Sequence, residues 1–241
     1  MNSNSGPPVL EIRPRRAHAW PDPAELWEYR ELFFFLAWRE VQVRYRQTLI
    51  GVSWAILQPL LGMVVFSLFF GRLAKMPSDG VAYPLFSFVG LLVWTFFASA
   101  VAGAAGSLVS AGSLIQKVYF PRLVVPAAAV LSACVDLVPS LLAAAALMAW
   151  YGTPPTLQMF AVLPFFALAV VAALGVGLLL AALNVEFRDV RYALPFALQL
   201  WMFATPVVYP GSMIPAEWRA IHALNPMTAV VDGTRWALLG T

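Results

Sequence analysis

Four stretches of this chain run without a single Asp, Glu, Lys or Arg. They hold 25 residues between Arg46 and Arg72, 37 between Asp79 and Lys117, 49 between Asp136 and Glu186, and 25 between Arg191 and Glu217. A bilayer core is crossed by about 20 apolar residues in a helix. Charged residues make up 11% of the 241 positions and hydrophobic residues 61%. Soluble domains carry about 25% charge and 45–50% apolar residues. Too little charge remains to cover a water-facing surface. That excludes a disordered tail, a secreted disulfide scaffold and a soluble enzyme, and points to a multi-span membrane protein. The single cysteine, Cys134, lies in an apolar run, forms no intrachain disulfide and reads as a small core hydrophobe.

Inside the gaps the pattern predicts spans at 52–70, 84–105, 123–150, 160–183 and 193–208. Gly152, Pro154 and Pro155 divide the longest gap into two helical segments, because adjacent prolines stop a helix. Asp136 then falls near the middle of the third span. The first 30 residues lack the apolar core and cleavage site of a signal peptide, so insertion is expected to use the first span. Placing the N-terminus inside gives 11 Lys and Arg on inner segments and 4 on outer ones. By the positive-inside rule the N-terminus, 106–122 and 184–192 are cytoplasmic. The net charge of +3 is not gathered on a soluble face, so nucleic acid is not an expected partner.

Of the 27 charged residues, 13 lie in the first 46 positions. Residues 1–22 read as a flexible cytoplasmic N-terminus. Asp22-Pro23-Ala24-Glu25 has the form of a capping box and predicts a helix over 23–46. Leu26, Tyr29, Phe33 and Leu36 share one side of it, but Glu40 and Arg44 intrude there. This imperfect amphipath is expected to lie in the membrane interface. Arg39, Glu40, Arg44 and Arg46 exceed the charge an anchor needs and suggest contact with a cytoplasmic partner. In the tail, Pro215 and Asn225-Pro226 predict two short helices at 215–224 and 226–239, the second ending at Gly240. Each is too short to span, which fits a pair dipping into the outer leaflet. Such irregular backbone is tolerated at membrane depth only inside protein or beside a water-filled cavity.

No G-x-x-x-x-G-K-[ST] phosphate loop is present, so nucleotide is not bound that way. His18 and His222 are far apart, and no spacing suits a metal. Ser107, Ser110 and Ser113 lack a paired histidine, so a nucleophilic site is not expected. Asp136, as an intramembrane carboxylate, points either to function or to a partner on a neighbouring helix. The nine Trp mostly mark span ends, and a subset suits stacking on sugar rings. Trp54, Trp201, Tyr209 and Asp136 are the candidates for a substrate path or gate.

Four ordered motifs carry a resemblance. They are Trp38-Arg39-Glu40-Val41-Gln42-Val43-Arg44-Tyr45-Arg46-Gln47-Thr48 with Gly51-Val52-Ser53-Trp54 and Gln58-Pro59; then Leu114-Ile115-Gln116-Lys117-Val118-Tyr119-Phe120-Pro121-Arg122; then Asn184-Val185-Glu186-Phe187-Arg188-Asp189-Val190; and finally Pro206-Val207-Val208-Tyr209-Pro210 with Leu224-Asn225-Pro226. From about residue 25 onward the chain resembles ABC-2 type permeases, most closely the branch exporting O-antigen, capsule and teichoic acid polysaccharides. The resemblance implies an all-α integral membrane half-transporter in the bacterial inner membrane. It implies pairing with a second copy and with two copies of a separate ATPase that holds ATP and Mg. The polymer would pass on its lipid carrier between the permeases. It also implies that Gln116, Lys117, Tyr119, Phe120 and Arg122, with Glu186, Arg188 and Asp189, form the surface receiving ATPase motion. The helix bearing Arg39, Arg44 and Arg46 would be the interface helix, and the tail helices an outer gate. The family has six spans, and five are expected here, so the sixth is missing at the C-terminus and a truncated chain is expected. Competing readings are export of a drug or lipid, an inactive fragment, and an integral-membrane enzyme using Glu186, Arg188, Asp189 and Arg191.

Overall fold

The structure is a computed structural model describing residues 23–46, 51, 53–154 and 156–241. Asp22 of the capping box, His18, Trp20, Gln47, Thr48, Val52, Pro155 and the expected flexible N-terminus lie outside the described residues.

The described residues are helical, with no strand among them. α1 (Pro23–Glu28) and α2 (Arg30–Tyr45) form one helix with a local turn at Tyr29. Bonds from Tyr29 N to Glu25 O and Phe33 N to Tyr29 O keep the helical register across it. α3 (Ser53–Phe66) continues as a wider π-helical turn over Ser67–Leu73. A tight loop follows, with Lys75, Asp79 and Gly80 at positive φ. α4 (Tyr83–Ser110) is the longest element at 28 residues, about 42 Å at 1.5 Å per residue. α5 (Gly112–Lys117) is short. α6 (Val124–Cys134) and α7 (Leu137–Trp150) make one interrupted apolar segment. A 3₁₀ turn at Leu157–Ala161 leads into α8 (Val162–Glu186), then α9 (Asp189–Ala204), α10 (Ala216–Ala223) and α11 (Pro226–Leu239).

α4 is the axis of the bundle. α3, α6, α7, α8, α9 and α11 all pack on it, and Leu85, Phe88, Val89, Val93, Phe97, Ala100 and Val101 are wholly buried. Small residues allow the closest approach. A Cβ at Gly177 of α8 would run into Ala104 Cβ at 2.6 Å. A second apolar cluster closes one end, where Leu36 and Ala37 of α2 meet Ala111, Phe120, Val124, Val125 and Ala128.

Among the described residues, four helices are long and apolar enough to cross a membrane: Ser53–Leu73, Tyr83–Ser110, Val124–Trp150 and Leu157–Glu186. The expected fifth span is shorter than 193–208 predicts on its far side. α9 has 16 residues and stops before Thr205-Pro206, because the residue preceding a proline is driven out of the helical region. A proline also lies behind the interruption between α6 and α7, through its missing N–H. Pro139 offers no N–H to Val135 O, which takes only a long 3.4 Å bond from Val138 N. Pro59 inside α3 likewise frees Ala55 O, and Ser140 Oγ of α7 donates to it at 3.1 Å.

Candidate functional site

The ends of α4 divide the connections into two groups. Ser107 and Ala111 mark one end, where α2, α5, the 118–122 segment and the start of α9 gather. Tyr83 marks the other, where its hydroxyl donates to Val208 O at 2.8 Å and Ser212 Oγ donates to Asp79 at 3.0 Å.

At the α2 end, the buried side of α2 runs through Leu32, Phe33, Leu36 and Ala37 to Arg44. α2 and α6 run in the same direction. Leu36 and Ala37 lie beside Val124, Val125 and Ala128, and one further pair of turns brings Arg44 to Asp136. Arg44 Nη1 donates to Asp136 Oδ2 at 2.5 Å and to Ser99 Oγ at 3.4 Å, and Nη2 reaches Ser132 Oγ at 3.5 Å. The Tyr45 hydroxyl donates to the other carboxylate oxygen of Asp136. The side chains of Arg44 and Asp136 are 31% and 21% exposed, so the pair is half-buried. Burial first, and then the bond to Asp136 and its negative charge, push the Tyr45 phenol up to about 12, with Arg44 opposing. This cluster explains the intrusion of Arg44 on the apolar side of the helix.

Arg39 and Arg46 are exposed, as are Gln116, Lys117, Arg122, Glu186, Arg188 and Asp189. Tyr119 is 72% exposed and its hydroxyl reaches Glu25 Oε1 at 3.5 Å. Phe120 differs. At 5% exposure it sits under α2 in the second apolar cluster, so it holds α2 to α6 and offers a partner nothing. Asn184 is also buried, donating to Ala105 O at 2.8 Å. Beside it a cavity of about 940 Å³ opens between α4 and α9. Ala98, Ala102, Ala105 and Leu198 line its apolar part, and Arg188 and Arg191 its polar mouth.

Of the candidate gate residues, Trp201 and Tyr209 lie toward the Tyr83 end, and Trp201 sits in a polar network. Trp201 packs edge-on against Phe97, with ring centroids 5.1 Å apart, and its indole N–H donates to Asn225 Oδ1 at 3.1 Å. The same oxygen accepts from Met227 N and caps α11, while Asn225 Nδ2 donates to Thr205 Oγ1 at 2.9 Å. The Tyr209 hydroxyl donates to Phe203 O at 3.2 Å. Trp54 stands exposed at the start of α3.

Arg235 was invisible as a site residue, since its charge counts simply as an outer one. It is 2% exposed and donates to Phe86 O at 3.3 Å and to Pro206 O and Val207 O at 2.5 Å each. Its guanidinium lies 3.6 Å from the centroid of the Phe86 ring, and Asp232 is 3.8 Å away. A Cβ at Gly90 would collide with that guanidinium and lie 2.7 Å from Val207 O. The arginine therefore clamps the Pro206–Pro210 turn onto α4. A lone arginine inside an apolar helix, three residues after an aspartate, was the only signal for it.

The sequence that builds this arrangement matches a known family. The ABC-2 type transporter family model matches residues 31–239. The chain belongs to the ABC-2 type transporter family. It is 36% identical over 209 residues to an O-antigen export system permease protein RfbA of Myxococcus xanthus, covering 86% of this chain and 80% of that one. A Klebsiella pneumoniae protein of the same name is 26% identical over 83% of this chain and 77% of its own. The polysialic acid transport protein KpsM of Escherichia coli is 22% identical over 83% and 78%. This ABC-2 chain shares with them nearly the whole helical region described above.

Proposed function

We propose that this chain is the membrane permease subunit of an ATP-driven exporter that moves lipid-linked polysaccharide, of the O-antigen, capsule or teichoic acid type, across the bacterial inner membrane. The observation that carries the reading is the family match along nearly the whole chain, joined to relatives named for O-antigen export and polysialic acid transport. The Lys and Arg bias of 11 to 4 supports a cytoplasmic α2 end. α9, with its 16 residues and the extended stretch that follows, serves as the fifth crossing. The working unit is two copies of this chain with two of a separate ATPase, which supplies ATP and Mg.

In this reading the exposed Arg39, Arg46, Gln116, Lys117, Tyr119 and Arg122 meet the ATPase, and Glu186, Arg188 and Asp189 flank them. Phe120 acts from beneath by keeping α2 on α6. Arg188 and Arg191 face the groove between α4 and α9, where guanidinium forks suit the phosphate of a lipid carrier. α10 and α11, held by Arg235 and Asn225, form the outer gate.

Co-expression with the ATPase of the same export system tests this. A stable complex of two copies of each subunit is expected, and Lys117→Glu should cut export while leaving insertion and assembly intact. A permease that captures no ATPase, with export untouched by Lys117→Glu, would overturn the reading. Export of a drug or lipid with no effect on polysaccharide would assign a different cargo.

A further inference from the structure

We propose that Asp136 is a positioning residue through which α2 moves the break between α6 and α7, so that Arg44, Tyr45 and Asp136 together set the coupling of ATP hydrolysis to export. The inference rests on the reading of the α2 end as the face that meets an ATPase.

The contacts of α2 with α5 and α6 run through an apolar cluster, and apolar surfaces slide without preferred direction. The bonds from Arg44 and Tyr45 to Asp136 are directional and charge-assisted, and they fall on the last two residues of α2. They join α2 to the weakened helix ladder between α6 and α7, where Asp136 lies beside Val135 and three residues before Pro139. Two further hydroxyls, Ser99 on α4 and Ser132 on α6, stand at 3.4 and 3.5 Å from the same guanidinium. A small displacement of α2 can pass the guanidinium to them without leaving it unpaired.

The two sides of the break are unequal. α6 is packed on α4 and α2, with Val124, Ala128, Val130 and Ala133 nearly sealed. α7 buries only Ser140, Ala144 and Met148. A cavity of about 160 Å³ beside the break, bordered by Ala55, Thr95, Ser99 and Asp136, leaves room on that side. α7 is thus the half free to swing. Its Ser140 also holds Ala55 O, the carbonyl that Pro59 leaves without a backbone partner in α3. A push on α2 therefore reaches two proline-weakened helices through two side chains, Asp136 and Ser140.

The test uses the full chain in lipid nanodiscs, with Cys134→Ser as background and spin labels at Val43→Cys on α2 and Leu142→Cys on α7, both exposed positions. With each labelled copy diluted among unlabelled ones, so that only distances within a copy are read, the parent should give one narrow distance. Asp136→Asn and Arg44→Ala should add a second, broader population, and the swapped pair Arg44→Asp with Asp136→Arg should return to one. In the complex with its ATPase, Asp136→Asn should lower export about tenfold or more while ATP hydrolysis changes by no more than about twofold. Asp136→Glu should recover part of the export. Should Asp136→Asn fail to insert, Arg44→Lys and Tyr45→Phe carry the same measurements. Unchanged distance and export in the single variants overturns the proposal. So does hydrolysis that falls in step with export, which is what a purely structural residue would give. If the parent itself binds no ATPase, the reading of the α2 end fails. The distance experiment then still decides whether the latch exists.

Discussion

One carboxamide, that of Asn225, satisfies three groups at once: the indole N–H of Trp201, the first free amide of α11 and the hydroxyl of Thr205. Asn225→Ala loses a helix cap and leaves buried groups unpaired, at a cost of about 2–4 kcal/mol. A clear fall in the midpoint of detergent-solubilised thermal unfolding checks it, and Asn225→Asp should recover the cap but not the bond to Thr205. Arg235 is still less replaceable, since three carbonyls and the Phe86 ring share its guanidinium. Gly90→Ala strikes the same clamp from α4 and should cost about 2 kcal/mol or more through overpacking. The readout is reduced monodisperse yield on size-exclusion chromatography. Tyr45 gives a pH dependence. Its raised value favours the neutral phenol in the folded chain, so its stabilisation is complete below about 10. It is lost as pH rises through about 12. The spin-label distance of the latch should hold from pH 7 to about 10 and loosen above it, and Tyr45→Phe should abolish that alkaline step.

At the scale of elements, the legible parts were those set by local chemistry. Asn225-Pro226 and Gly240 bound α11, and the structure places the cap bond and a left-handed Gly240 there. Among the described residues, three of the four helices fit to cross a membrane lie almost wholly in long uncharged gaps, and the other, Val124–Trp150, straddles Asp136. What stayed hidden depends on contacts between distant residues. The wheel of α2 displayed Arg44 on the wrong side, but its partner lies 92 residues away. Phe120 carries an apolar ring in a polar stretch, which reads equally as a surface contact or as a plug, and only the position of α2 decides for the plug. Asp136 stands in an apolar run, and no local pattern says whether it faces a path or a cation. The fifth helix ends at Ala204, short of the 193–208 span, because that span includes Pro206 and the residue before a proline resists the helical conformation. The link between α7 and α3 is testable at this scale. Ser140→Ala strips Ala55 O of its donor and should destabilise the chain by about 0.5–2 kcal/mol. The combination with Pro59→Ala, which restores a backbone donor to that carbonyl, should cost less than Ser140→Ala alone. Chemical or thermal unfolding of the two variants in one detergent compares them.

The whole molecule separates two tasks by its ends. One end gathers an amphipathic helix, exposed basic residues and a cavity with two arginines at its mouth. The other holds a proline-rich turn and two short helices fixed by buried polar bonds. This arrangement predicts opposite labelling from the two sides of the membrane. Tyr119→Cys should react with a membrane-impermeant thiol reagent only from the cytoplasm, and Ser212→Cys only from outside. The claim that the chain exports lipid-linked polysaccharide is tested most directly by removing its gene from the organism that makes it and measuring polymer on both sides of the membrane. The account predicts loss of surface polysaccharide with build-up of the lipid-linked polymer inside, both reversed by the intact gene. Surface polysaccharide at the parental level, with no polymer retained inside, would contradict it.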